Sequence, residues 1–240
     1  MIIDAKETFL LRPMNKKINS SKDEYVRINN CLGQRYLGAG AKNKKIDVYG
    51  TPGNALGAYL DGATITVHGN AQDAVGDTMN DGKIIIEGNA GDALGYAMRG
   101  GKIFVAGNAG YRAGVHIKEY RDKKPIIVIG GLAGSFLGEY MAGGRIVVLN
   151  LNDEENAVGN FTGAGMHGGK IFIRGQKPPK NLPAQVKCDV PTEEDLIELK
   201  EILKEFAILT DISYNNLSSE KFTVLKPDTA NPYKTLYVSD

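Results

Sequence analysis

The 240-residue sequence has no tryptophan, two cysteines, three histidines and a formal net charge of only +1. Cys31 and Cys188 are too few for a disulfide framework and too isolated for a metal cluster, which points to a reducing cytoplasm. His68, His116 and His167 have no Cys or His neighbour at metal-ligand spacing. The balance of 29 basic against 28 acidic residues leaves no electrostatic footprint for nucleic acid. No stretch approaches the roughly 20 apolar residues of a membrane span, and MIIDAKETFLLRPMNKK at the start lacks an apolar core of signal length. The expectation is a cytoplasmic protein with neither a nucleic-acid nor a membrane partner.

What the sequence has instead is one short pattern written many times. GTPGNALGAYLDGATITVH (50–68), GNAQDAVGDTMNDGKIIIE (69–87) and GNAGDALGYAMRGGKIFVA (88–106) are consecutive copies of 19 residues. Gly opens each copy and recurs at the eighth place, Leu or Val stands at the seventh, and Leu or Met at the eleventh. The register extends to about seven copies, beginning near Cys31, Gly50, Gly69, Gly88, Gly107, Gly131 and Asn156. A fixed short period is the mark of a solenoid in which each repeat stacks on the last. The closing run of each copy alternates apolar and variable residues, with Ile46/Val48, Ile65/Val67, Ile84/Ile86, Ile103/Val105, Ile146/Val148 and Ile171/Ile173 as the apolar pairs. That period of two in β-branched residues is a strand with one face inward. Recurrent glycine opposes a helix within the copy. The expected fold is therefore all-β: a right-handed, single-stranded parallel β-helix over 31–175.

The other fixed positions agree. Ala71, Ala90, Ala109 and Ala133 suit a crowded corner. Leu56, Val75, Leu94 and Leu137 form one inward ladder, and Leu60, Met79, Met98, Met141 and Met166 form another. Gly57, Gly76, Gly95, Gly114, Gly138 and Gly163 are expected at positive φ, where a Cβ is costly. Residues 1–30 read as a lead-in that caps the first coil, with Ile2, Ile3, Phe9 and Leu10 in a short strand and a turn or two of helix. Residues 176–240 read as a proline-rich linker, a helix and an extended tail. The helix starts at Thr192 as N-cap, with Glu193, Glu194 and Asp195 in its first turn. It should run to about Phe206, with Leu196, Leu199, Leu203 and Phe206 on one stripe. The outward strand row turns apolar at Ile85, Phe104, Val147 and Phe172, so either this helix or a partner protein covers it.

No nucleophile, base and orienting group can be assembled, and no catalytic, cofactor-binding or metal-binding residue is assigned. Asp73 and Asp92 occupy the same place in successive copies, where Asx side chains usually bond the backbone of their own corner. A cation ladder is the alternative, but Arg112 and Ser135 break it. The insertion KEYRDKK (118–124) in the fifth copy should be expelled as a loop. Its charge leaves it little to bury against its own core, so Tyr120 and Arg121 are candidate docking contacts. Phe104 and Phe172 on the apolar row are the other candidates.

The run G-N-A-G-D-x-x-G-x-x-M-x-G-G-x-I, together with YMAGGRIVVL, resembles the C-terminal β-helix domain of the glutamate synthase large subunit, in its free-standing form. The resemblance covers about residues 30–175. It implies a non-catalytic scaffold that holds glutaminase-type and synthase-type subunits together and borders the ammonia route between them. FMN and an iron–sulfur cluster are then expected only in partner subunits, with none in this chain. A very similar repeat belongs to the C subunit of formylmethanofuran dehydrogenase, which gives a second reading. A self-associating scaffold with no enzyme partner gives a third, so a homo-oligomer is possible.

Overall fold

The computed structural model describes residues 1–7, 11–175, 178–218 and 221–228. The protein is mostly β, built on one large, mostly parallel sheet with a helix from the C-terminal part of the chain laid across it. The strands are β1 (Ile2–Asp4), β2 (Tyr25–Leu32), β3 (Lys45–Thr51), β4 (Asp61–His68), β5 (Asp81–Ile86), β6 (Lys102–Val105), β7 (Ile126–Ile129), β8 (Ala142–Val148) and β9 (Gly168–Arg174). Then come β10 (Val186–Asp189) and β11 (Phe222–Pro227). Strands β1 to β9 follow one another in sequence order, every pair parallel.

The register is the one the repeat dictates. Ile46 pairs with Ile65, Ile65 with Ile84, Ile84 with Ile103, Ile103 with Ile127, and onward to Ile146 and Ile171. A shift by one residue would turn each of these columns out of the core, so the pairing is strongly specified. The small-residue corner stacks in step, through parallel bridges joining Ala71, Ala90, Ala109, Ala133 and Val158. Turn amides do the same: Gly57 donates to the Leu37 carbonyl, Gly76 to Leu56, Gly95 to Val75 and Gly114 to Leu94. The inward pairs, the Leu/Val ladder and the Leu/Met ladder all lie in one buried core on this side of the sheet. The six turn glycines from Gly57 to Gly163 have φ between 64° and 75°.

The lead-in holds more than a cap. Strand β2 pairs with β3 from Tyr25 onward, so the parallel ladder begins before Cys31. Helix α1 (Leu11–Ser20) buries Met14 and Ile18 in the same core. Its Asn15 closes on the first repeat, the side-chain amide donating to Tyr36 O and its oxygen accepting from Gly38 N. Phe9 and Leu10 lie outside the described residues.

The end of the chain departs from expectation. The proline-rich stretch expected as a linker contains strand β10. Part of the expected tail is strand β11, which runs antiparallel to β9 on one side and to β10 on the other. Residues 229–240, the remainder of that tail, lie outside the described residues. Pairing β9 with β11 satisfies the last edge of the parallel run, where open backbone groups would otherwise face solvent.

Helix α2 (Glu193–Thr210) begins as expected. Thr192 accepts from Asp195 N, and Asp195 accepts from Thr192 N, which closes a capping box. The helix lies over the outer row of the sheet. Ile85, Phe104, Val128, Val147 and Phe172 form a second core with Leu199, Ile202, Leu203 and Phe206. The buried stripe includes Ile202 in place of Leu196, which is 48% exposed. A short helix, α3 (Tyr214–Ser218), adds Leu217 to that core.

Candidate functional site

The apolar outer row is closed by the protein itself. Phe104 and Phe172 are both 0% exposed, and the Phe104 and Phe206 rings lie 6.3 Å apart. Neither is available as a docking contact. The sequence showed an apolar row and an apolar helical stripe, and the fold pairs the two.

Sequence reading missed the charges that frame this contact. The residue preceding the inward isoleucine is Lys83, Lys102, Arg145 and Lys170 in four copies, and these lie in one column of the sheet. Opposite them, α2 presents Glu205, Glu198 and Asp195. Glu205 bridges Lys83 at 2.6 Å and Lys102 at 2.5 Å, Glu198 takes Arg145 at 2.6 Å, and Asp195 takes Lys170. Between Lys102 and Arg145 in the column stands Ile126, in the same core as Ile202. The signal in sequence was a cation in front of the same isoleucine in copy after copy, matched by acids spaced along one helix.

Magnitudes divide the labour here. Burying each of four large apolar side chains contributes about 1.5–3 kcal/mol, whereas a partly exposed ion pair contributes at most about 1 kcal/mol. Apolar burial therefore holds α2 down, and the ion pairs fix where along the sheet it sits. For Glu198 and Glu205, burial is the largest single influence and pushes each carboxyl up. The paired lysines and Arg145 outweigh it, so both carboxyls end below their usual range. A lowered carboxyl pKa stabilises the fold above the ordinary value near 4.5, and that contribution is lost as pH falls through the folded value. Urea unfolding at about pH 3.5 should therefore show a lower midpoint than at neutral pH. The double variant Glu198→Gln/Glu205→Gln should shrink that difference, and an unchanged pH dependence would count against the column.

The insertion 118–124 buries no side chain in the core, but ion pairs and hydrogen bonds tie it to the rest of the chain. Lys123 pairs with Asp81 at 2.9 Å, and Lys124 with Glu198 at 2.7 Å. Glu119 accepts from Gly144 N and from Arg145. These contacts leave Tyr120 and Arg121 exposed at the loop tip, with the Arg121 guanidinium 5.2 Å from the Tyr120 ring centre.

The Asx residues form a ladder that reaches forward by one repeat. Asp73 accepts from Asp92 N at 3.0 Å, and Asp92 from Tyr111 N at 2.8 Å. Asn70, Asn89 and Asn108 accept in the same way from Asn89, Asn108 and Leu132. The expected bond to their own corner is replaced by one that joins successive repeats, because the next copy's amide lies within reach of each oxygen.

On the part of the sheet that α2 leaves uncovered, β2 to β5 gather a polar cluster. His68 Nδ1 is 2.8 Å from Glu87 and its ring stacks on Tyr49 at 4.3 Å, while Arg27 lies over Tyr49 at 4.1 Å. Tyr25 donates to Asp47 at 2.7 Å, a bond that raises the Tyr25 pKa above its ordinary value. These are polar and aromatic side chains stacked on one face, and none is an activated nucleophile. His116 and His167 stand elsewhere, in the turns. Both cysteines are free, and burial pushes the Cys31 thiol up to about 11, which makes it unreactive. Among the described residues, no group of three or more His, Cys, Asp or Glu could hold a metal ion, and no helix is long and apolar enough to cross a membrane.

Parallel strands, turns and polar side chains thus recur in register from copy to copy, with glycine at positive φ in the turns. The chain belongs to the GXGXG motif family, whose model matches residues 14–229; the C-terminal domain of the glutamate synthase large subunit is of this type. An uncharacterized protein of Methanocaldococcus jannaschii is 42% identical over 254 aligned positions, covering 100% of this chain and 97% of that protein. Among solved structures, the chain is similar to one from the formyltransferase/hydrolase complex of Methylorubrum extorquens, determined in complex with methylofuran. The identity there is 25% and the TM-score 0.67, over 84% of this chain and 73% of the other.

Proposed function

We propose that this chain is a non-catalytic structural subunit or domain of a glutamate synthase-type complex, holding glutaminase and flavin/iron–sulfur synthase parts together beside the ammonia route. The observation that carries the reading is the GXGXG match, which takes in residues 14–229 and so nearly all of the sequence. In this reading the sheet and its turns form a right-handed parallel β-helix of about seven coils. Supporting it are the common offset of strands, alanine bridges and turn amides, and the strong preference of parallel crossovers for the right hand. The chain carries no flavin, iron–sulfur cluster or metal of its own, works in the cytoplasm, and docks partners through Tyr120 and Arg121.

A second reading is a scaffold like the C subunit of formylmethanofuran dehydrogenase. It is favoured by the likeness to a chain of the formyltransferase/hydrolase complex. Affinity purification of the tagged chain from its native cell, with mass spectrometry of stoichiometric companions, separates the two. Glutaminase-type and synthase-type chains support the first reading, formylmethanofuran-type chains the second, and recovery of the chain without either would end both. The variant Tyr120→Ala/Arg121→Ala should keep its melting temperature and lose at least about tenfold in partner affinity, since Tyr and Arg dominate interface energetics. Stoichiometric iron or flavin in the chain expressed alone would contradict the scaffold role.

A further inference from the structure

Lysine fills the outer column of the sheet at Lys45, Lys83, Lys102 and Lys170, and arginine stands there only at Arg145. Arg145 is also more enclosed, with 12% of its side chain exposed against 31–38% for the three lysines that pair with α2. Its guanidinium reaches two carboxylates on different elements. Nε donates to Glu198 of α2 at 2.6 Å, while Nη1 donates to Glu119 at 3.4 Å and to Gly144 O at 2.9 Å. Glu119 lies at the start of the insertion 118–124 and also accepts from Gly144 N at 3.0 Å. The other oxygen of Glu198 takes Lys124, at the close of the insertion, at 2.7 Å. Both ends of the insertion therefore meet one helix residue, Lys124 directly and Glu119 through Arg145. Between those ends the tip is a tight turn. Tyr120 and Lys123 exchange backbone hydrogen bonds of 3.1 Å, and Arg121 sits at φ 58°.

We propose that Arg145 is a positioning residue, which couples α2 to the insertion so that the helix holds Tyr120 and Arg121 in the conformation a partner meets. The functional end of this inference rests on the reading of the tip as the docking contact, whereas the coupling itself does not. Residue type argues for it. Gripping two carboxylates at once needs a planar fork of donors. An ammonium on a flexible stem is a point charge, which suffices where a single helix carboxylate is met, as at Lys83, Lys102 and Lys170. The tip has no other source of order, because its side chains bury nothing in the core and only its ends are anchored. A turn ordered before docking spares the complex the entropy of fixing it. The coupling is reciprocal, so a partner seated on the tip also tightens α2.

Hydrogen exchange of the purified full chain, read by mass spectrometry, tests the coupling without any partner. Arg145→Lys keeps the charge and matches the lysine that other copies carry in this column, so the melting temperature should hold. Peptides covering 118–124 should exchange at least about fivefold faster, the scale set by losing one partly exposed ion pair from a locally opening segment. Trypsin cleavage after Arg121 should accelerate in step. Glu198→Gln leaves Arg145 in place and should loosen the insertion equally from the helix side, which keeps the test valid if the arginine variant folds poorly. Glu205→Gln, whose partners are Lys83 and Lys102, should leave the insertion unchanged. An insertion whose exchange ignores both Arg145→Lys and Glu198→Gln overturns the proposal. Acceleration spread evenly over the strands also overturns it, since Arg145 would then be a general stabiliser. The docking reading fails separately: companion chains bound equally well after Tyr120→Ala/Arg121→Ala would end it and leave the coupling standing.

Discussion

Truncating Phe206 to alanine is expected to destabilise the protein by about 3–5 kcal/mol, the range for deleting a large buried aromatic ring. Phe206 is 0% exposed and packs on Phe104 at the centre of the contact between α2 and the sheet. Its loss leaves a cavity beside Phe104, in a core whose sheet side is held in strands that cannot collapse inward to fill it. Leu196→Ala on the same helix is the internal control. Its side chain is 48% exposed, so the change should cost less than about 0.5 kcal/mol. Urea titration at neutral pH measures both. Equal effects, or a Phe206→Ala loss under about 1 kcal/mol, would mean that α2 is not held by this face.

For Gly76→Ala the expected loss is about 3 kcal/mol, from two sources that can be measured apart. Gly76 has φ of 70°, where an L side chain costs about 1–2 kcal/mol. A Cβ there would also stand 2.5 Å from Ile103 Cδ1, which adds an overpacking cost of about 1–3 kcal/mol. Gly40→Ala isolates the first source, since Gly40 has φ of 65° and open space around it. Removing the offending methyl group with Ile103→Val should recover part of the loss in the double variant, with a coupling of about 1 kcal/mol or more. Strict additivity of the two changes would show that the turn glycine and the isoleucine of the next copy do not touch.

The same glycine and isoleucine mark how far reading the sequence could go. The recurrence of Gly at the eighth place and of Ile near the end of each copy announced a left-handed turn residue and an inward strand position. That the two meet was invisible, because Gly76 lies 27 positions before Ile103 and the contact depends on how the turn folds over the next strands. The side chains of Asp73 and Asp92 carried a similar ambiguity. Their spacing indicated a ladder, but only the approach of the next turn's amide decided that they bond forward.

By itself, the sequence determined the strand register, the inward rows, the positive-φ glycines, the small-residue corner and the Thr192 cap of α2. Each is set by residues a few places apart, or by a period that every copy obeys. Tertiary structure alone decided the rest. It laid α2 on the row of Phe104 and Phe172, withdrawing both from any docking role. It matched Glu198 and Glu205 to cations 53 and 103 positions away. It drew β11 back between β9 and β10, and gathered Tyr25, Asp47, His68 and Glu87 from neighbouring strands. An apolar row states that it must be covered, and an apolar stripe that it must be buried. Neither states by what, because burial is non-directional and the partner is chosen only where the folded chain brings complementary shape and charge together.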